Sequence, residues 1–239
     1  MMGRRAIRIG ALLLPLAALV GLVGAGPAWA GSLSVMPVRV DVAPTSRFCS
    51  LTLGNDSERP VTVQVRAFAW QKDDAGADLL EPDGRFIVNP TIATIAPGAT
   101  RLVRCSLPAR TAVDEAEEQW RLIIDQLPDS SPVAPGTVQT LLRISLPVFR
   151  AGEKAAPRLF VTLDKASLRL ANSGTRHVKV LAVTLHGADG DAVVTDRSFY
   201  LLAGGAQSVT FERLPRGGAT GVHVRAEEGE FDVPLASVR

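Results

Sequence analysis

Beyond its first thirty residues the chain has no apolar stretch long enough to cross a bilayer, so no later segment is expected in a membrane. It also has no clustered run of lysine and arginine. Its 26 basic residues are interspersed with 24 acidic ones for a formal charge of +2, which argues against a nucleic-acid partner. Cysteine is nearly missing: Cys49 and Cys105 are far apart, which excludes a closely spaced zinc pair, and an even count in an exported chain favours one disulfide. There is no Gly-rich phosphate loop ending in Lys-Ser or Lys-Thr, no G-x-S-x-G elbow and no His-Glu-x-x-His, so neither a nucleotide site nor a cofactor is expected. The three histidines are His177, His186 and His223. The last two meet if their strands pair, but a metal needs three or four donors and no third is evident, so they read as polar strand residues and no metal site is expected. Asp114, Glu115, Glu117 and Glu118 suit paired acid and base chemistry or, in front of a strand, a solvated charged entrance, and the second reading is preferred. No enzyme is expected.

What is there begins with Met1-Met2-Gly3-Arg4-Arg5, an apolar run from Ile9 to Val23, and Ala28-Trp29-Ala30. A basic start, a short apolar middle and an A-x-A end predict a signal peptide over residues 1–30, cut after Ala30, and hence export. The remaining 209 or so residues suit one large or two small domains. Apolar residues recur at spacing two in runs rich in Val, Ile, Leu and Thr, which predicts strands at about 33–43, 48–54, 61–71, 86–95, 99–107, 118–127 and 137–149. Turn residues such as Asn55-Asp56-Ser57, Pro82-Asp83-Gly84 and Pro97-Gly98 separate them. Seven short strands in about 120 residues describe an immunoglobulin-like sandwich over 31–150. The one helical candidate, Val113 to Glu118, is too short to change the class. A polar, small-residue linker follows, Arg150-Ala151-Gly152-Glu153-Lys154-Ala155-Ala156-Pro157. Strands are then predicted at about 158–163, 167–171, 177–186, 192–202, 206–212, 220–226 and 230–235, a second sandwich over 151–239. The expected fold is all-β, two immunoglobulin-like sandwiches.

The segments Val35-Met36-Pro37-Val38-Arg39-Val40, Leu53-Gly54-Asn55-Asp56-Ser57, Pro60 to Trp70, Ile95-Ala96-Pro97-Gly98, Glu117 to Pro128 and Leu141 to Phe149 stand in an order and spacing that resembles the PapD-like periplasmic pilus chaperones. The ending Leu146-Pro147-Val148-Phe149 is similar to the branch serving archaic and spore-coat-like pili. The likeness covers the first domain nearly end to end and the second only as a sandwich of the right size. It implies a protein that lends a β-strand to incomplete pilus subunits, with pilins and an outer-membrane usher as partners.

On that resemblance the donor strand is Thr137 to Phe149, with Val138, Thr140, Leu142, Ile144 and Leu146 on its apolar face and Val138, Leu142 and Ile144 as plugs for a subunit groove. Periodicity alone places the same face on the domain's own core, as for any last strand. The family also grips the subunit's terminal carboxylate with an arginine and a lysine. Arg39 matches the arginine, whereas the lysine position falls on Ser145 or Leu146, so Arg121 or Arg143 is expected as its replacement. In the implied strand order Cys49 and Cys105 lie on neighbouring strands and form the disulfide. The competing function is a structural pilus subunit or adhesin domain. A subunit calls for an extended apolar arm ahead of its first strand, whereas Leu33 starts the first strand almost at the cleavage site.

Overall fold

Short runs that alternate apolar and polar residues each leave one face to bury, and stacking sheets face to face satisfies all of them together. The computed structural model describes residues 33–73, 75–110, 116–129, 139–164 and 166–235, and every regular element among them is a strand. The first half holds β1 (Leu33–Met36), β2 (Val40–Val42), β3 (Phe48–Asn55), β4 (Val61–Lys72), β5 (Asp78–Pro82), β6 (Ile87–Asn89), β7 (Ile92–Ile95), β8 (Thr100–Ser106), β9 (Glu118–Gln126) and β10 (Arg143–Arg150). The second half holds β11 (Leu159–Leu163), β12 (Ser167–Asn172), β13 (Val178–Gly187), β14 (Ala192–Thr195), β15 (Phe199–Leu201), β16 (Ala206–Thr210), β17 (Ala219–Ala226) and β18 (Gly229–Val233).

In the first half one sheet runs β1-β3-β8-β6 and the other β2-β10-β9-β4-β5, with β7 also on β4. Their shared core joins Leu51, Leu53 and Val103 from one sheet to Val63, Leu122 and Val148 from the other, all at most 1% exposed. In the second half the sheets are β11-β12-β16 and β14-β13-β17-β18, with β15 on β13, around a separate core that includes Leu168, Leu170, Val180, Leu185 and Val224. The architecture is the expected pair of immunoglobulin-like sandwiches.

The expected strand at 33–43 is two strands in opposite sheets, β1 on β3 and β2 on β10, parted at Pro37. The expected strand at 86–95 divides the same way at Pro90, into β6 on β8 and β7 on β4. Proline brings no N–H to a ladder, so each run crosses between sheets at its proline. The unexpected β5 is an edge strand whose charges and Pro82 hid it from an alternation test. In the helical candidate, residues 113–115 lie outside the described residues and Glu118 opens β9.

Cys49 and Cys105 stand directly opposite each other on β3 and β8 with Cα atoms 4.9 Å apart, inside the bridging range, and are joined as a disulfide. Each sandwich also turns on a fully buried asparagine. Asn55 Nδ2 donates to the carbonyls of Arg59 (2.7 Å) and Ile95 (3.0 Å), and its Oδ1 accepts from the Ser57 N–H (3.0 Å) and hydroxyl (2.6 Å). Asn172 does the same for Arg176 (2.7 Å), Leu202 (3.3 Å), Arg158 N–H (3.0 Å) and Gly174 N–H (3.0 Å). Asn55→Ala removes these hydrogen bonds from buried groups, so a loss of about 3 kcal/mol is expected in the free energy of urea unfolding.

Candidate partner-binding cleft

The last strand of the first sandwich is paired on one side throughout, from Arg143 opposite Asp125 to Arg150 opposite Glu118 on β9. On its other side only Val148–Arg150 have a partner, the parallel β2. Among the described strands, Arg143 to Pro147 therefore present a free edge. The Gln126 N–H donates to the Leu142 carbonyl (2.8 Å), and with no register slip after it the alternation directs Ile144 and Leu146 to β9 and the backbone groups of Arg143 and Ser145 outward. Pro147 falls in the outward set, where its missing N–H leaves the β9 ladder intact.

The side chains correct part of the sequence expectation. Leu146 is 1% exposed and, with Val148, fills the sandwich's own core, and Ile144 packs partly buried at that core's margin. Leu146 is therefore committed to the protein's own core, and Ile144 is partly so. Leu142 is half-buried and Thr140 exposed, while the neighbouring Leu141 is 41% exposed. Val138 lies outside the described residues. The core claims the end of the strand because β10 is flanked by β9 and β2 there, so its inward row is covered on both sides.

The opposite, outward face of the same sheet gathers charge. The parallel register puts Arg39, the residue before Val40, level with Pro147, and Arg121 stands opposite Pro147 on β9, so both arginines flank that proline on one face. Arg39 Nε donates to Asp41 (2.8 Å), and its Nη1 lies 3.1 Å from Glu227 of the second half. Burial works against its charge, but the hydrogen bond and field of Asp41 and the field of Glu227 outweigh this and raise its pKa. Arg121 lies flat over Trp70, 3.6 Å from the ring centroid, with Asp78 at 3.5 Å and the Tyr200 ring at 5.6 Å. Its burial lowers its pKa, opposed by Asp78, and its Nε donates no hydrogen bond. Arg143 does not join them. It pairs directly with Asp125, which also takes Arg66, four residues and about 13 Å along the strand from Pro147.

Sequence reasoning missed the contribution of the second half. Lys179 on β13 lies 3.1 Å from Glu227 and 5.8 Å from the Tyr200 ring, so one carboxylate is shared by Arg39 and Lys179. With side chains 29% and 33% exposed, these two cations are open where Arg121, at 11%, is covered. A lone lysine between Val178 and Val180 carries no local signal of this role. Beneath the cleft Trp70, Phe149 and Leu202 form a small apolar cluster of their own. Glu117 is also no solvated entrance. It is buried, with Oε1 2.5 Å from His177 Nδ1, and the His177 ring stacks 3.6 Å from Phe149. Asp114 and Glu115 lie outside the described residues.

The hydrogen bond from Lys179, helped by Arg39 against a small burial cost, holds the Glu227 carboxyl below the usual range. A depressed folded-state pKa stabilises above the unfolded value of about 4.3 and is lost as pH falls through the folded value. The stability gap between wild type and Glu227→Gln, read from urea melts, is expected to be full at about pH 6 and to close below about pH 4.

The described residues thus form an all-β pair of sandwiches in which the last strand of the first has an open edge and a cationic cleft lies beside it. The sequence model described as "Pili and flagellar-assembly chaperone, PapD N-terminal domain" matches residues 32–154, and the chain belongs to this family. Among solved structures it is similar to a chain of the CsuC-CsuE chaperone and tip adhesion subunit pre-assembly complex of archaic Csu pili from Acinetobacter baumannii, at 17% identity and a TM-score of 0.68, over 87% of this chain and 100% of that one. It is similar to the E. coli chaperone DraB at 18% identity and a TM-score of 0.63, over 86% of this chain and 97% of that one. A chain of the Salmonella enterica SafA pilin and SafB chaperone complex aligns at 14% identity and a TM-score of 0.64, over 86% and 97%. At these identities the likeness is one of fold. No curated protein matches the chain.

Proposed function

We propose that this protein is a periplasmic chaperone, without enzymatic activity, that holds pilus subunits by donor-strand complementation and delivers them to an outer-membrane usher. The observation that carries the reading is the edge of β10 from Arg143 to Pro147, which has no partner strand among the described residues and lies next to a cationic cleft. A subunit strand laid on this edge gains main-chain hydrogen bonds, and the side chains ahead of Ile144, with Leu142 the foremost described one, enter its groove. Residues 1–30 act as the leader, 31–150 as the strand-lending domain and 151–239 as the second sandwich. Family membership and the subunit complexes among the structural neighbours support this reading.

The subunit's terminal carboxylate docks on Arg39. Lys179 takes the part of the family's missing lysine, and Arg121 adds positive field from behind. Both exposed cations already share one carboxylate, that of Glu227, so the spacing suits a second. The test is co-expression with a pilin whose reading frame adjoins the gene. Arg39→Ala is expected to cut the yield of co-purified complex at least tenfold while the free protein melts as wild type, because an exposed ion pair contributes little to stability. Undiminished capture by Arg39→Ala refutes the anchor, and no complex with any adjacent pilin refutes the function.

A further inference from the structure

The outer face of the second sandwich carries a constellation that subunit binding does not use. On β13, β17 and β18 the buried rows are Val183 and Leu185, Val222 and Val224, and Val233, so the alternate residues His186, His223 and Asp232 point to solvent. Register brings them together. His223 stands opposite Asp232 on β18, and His186 stands opposite Gly221, two residues from His223 on the same strand. The two imidazole rings are 5.8 Å apart, and one ligand atom from each of the three side chains lies within 4.8 Å of the others. We propose that His186, His223 and Asp232 form a surface site for a divalent transition cation of the zinc and copper class.

The donor chemistry selects that class. Two imidazoles and one carboxylate suit zinc or copper, whereas calcium and magnesium require more oxygen ligands than this face offers. Ligand atoms around a tetrahedral zinc sit about 3.4 Å apart. His223 Nδ1 and Asp232 Oδ1 already lie 2.8 Å apart, and the three ligand atoms lie within 4.8 Å, so at the widest separation the side chains close by at most somewhat over an ångström. With side-chain exposures of 42%, 27% and 87% for His186, His223 and Asp232, they have room to do so by torsion alone. Gly221 brings no side chain to the position opposite His186, and the space where its Cβ would stand is open, with no atom within 4 Å. A carboxylate is also in place to orient a ligand, since Asp191 Oδ1 lies 2.9 Å from His186 Nδ1 and leaves Nε2 available to the ion. Bound there, the cation ties three strands across their outer face and keeps a coordination position for water or for a ligand from another molecule.

The test uses purified protein without a polyhistidine tag, stripped with a chelator and titrated with Zn²⁺ by calorimetry and with Co²⁺ by visible absorption. One ion per chain is expected, with micromolar affinity and cobalt bands that Zn²⁺ displaces. The His186→Gln, His223→Gln double variant is expected to lose at least a hundredfold in affinity and Asp232→Asn about tenfold, while both melt as wild type in the absence of metal. No binding at millimolar Zn²⁺, or binding retained in the double variant, overturns the site. An Asp232→Asn variant that binds as tightly as wild type overturns the three-ligand assignment.

Discussion

Leu146→Ala is expected to destabilise the free protein by about 3 kcal/mol, because it opens a cavity in a core position that is 1% exposed between two flanking strands. Leu142→Thr, four residues earlier on the same face, is expected to change the free protein by less than about 1 kcal/mol, since that side chain is only half-buried and lies ahead of β10. Under the proposed function, complex formation is expected to reverse the order of importance. A side chain that becomes fully buried in a subunit groove contributes about 1.5–3 kcal/mol, so Leu142→Thr is expected to weaken capture roughly ten- to hundredfold. Melting each free variant and measuring its yield of co-purified pilin checks both halves. A Leu146→Ala protein that melts like wild type contradicts the core placement. A Leu142→Thr protein that captures normally moves the plugs upstream of Leu142.

Loss of the disulfide is the other large effect. Cys49 and Cys105 are separated by 56 positions, and closing a loop of that length restricts the unfolded chain by about 4 kcal/mol in the loop-entropy account. The Cys49→Ala, Cys105→Ala double variant is expected to lose about that much in urea unfolding, and dithiothreitol is expected to bring wild type to the same midpoint. The bridge lies within the β3-β8 sheet, away from β10, so pilin capture below the melting temperature is expected to survive. Equal midpoints for oxidised and reduced wild type contradict this prediction.

Much of the fold was legible because half-buried strands report themselves locally: Val61, Val63 and Val65 alternate with polar residues in the sequence and with exposure in the sheet. Turn residues such as Asn55-Asp56-Ser57 marked strand ends, and here the asparagine is itself the fully buried hub of the turn. The crossings at Pro37 and Pro90 were not legible, since an alternating run looks the same whether it stays in one sheet or changes sheets. The donor face was half legible. Period two puts Leu142, Ile144 and Leu146 in one row but says nothing about where that row stops facing its own core, which depends on β2 covering the far end of β10.

The site shows the same division more sharply. Arg39, with Arg121 or Arg143, was expected on the family resemblance; Arg39 and Arg121 do flank one proline while Arg143 lies apart, and Lys179, Glu227 and Tyr200 reach the cleft from distant parts of the chain. Asp232 likewise joined the two histidines only through the pairing of β17 with β18. Composition and periodicity by themselves determined the class, the number of sandwiches and the pair of cysteines able to meet, because each depends on residues a few positions apart or on simple counting. Only the tertiary structure decided which faces are covered, which edge is free and which charges converge, because these depend on the order of strands across a sheet and on how one half lies against the other, and no local spacing encodes that.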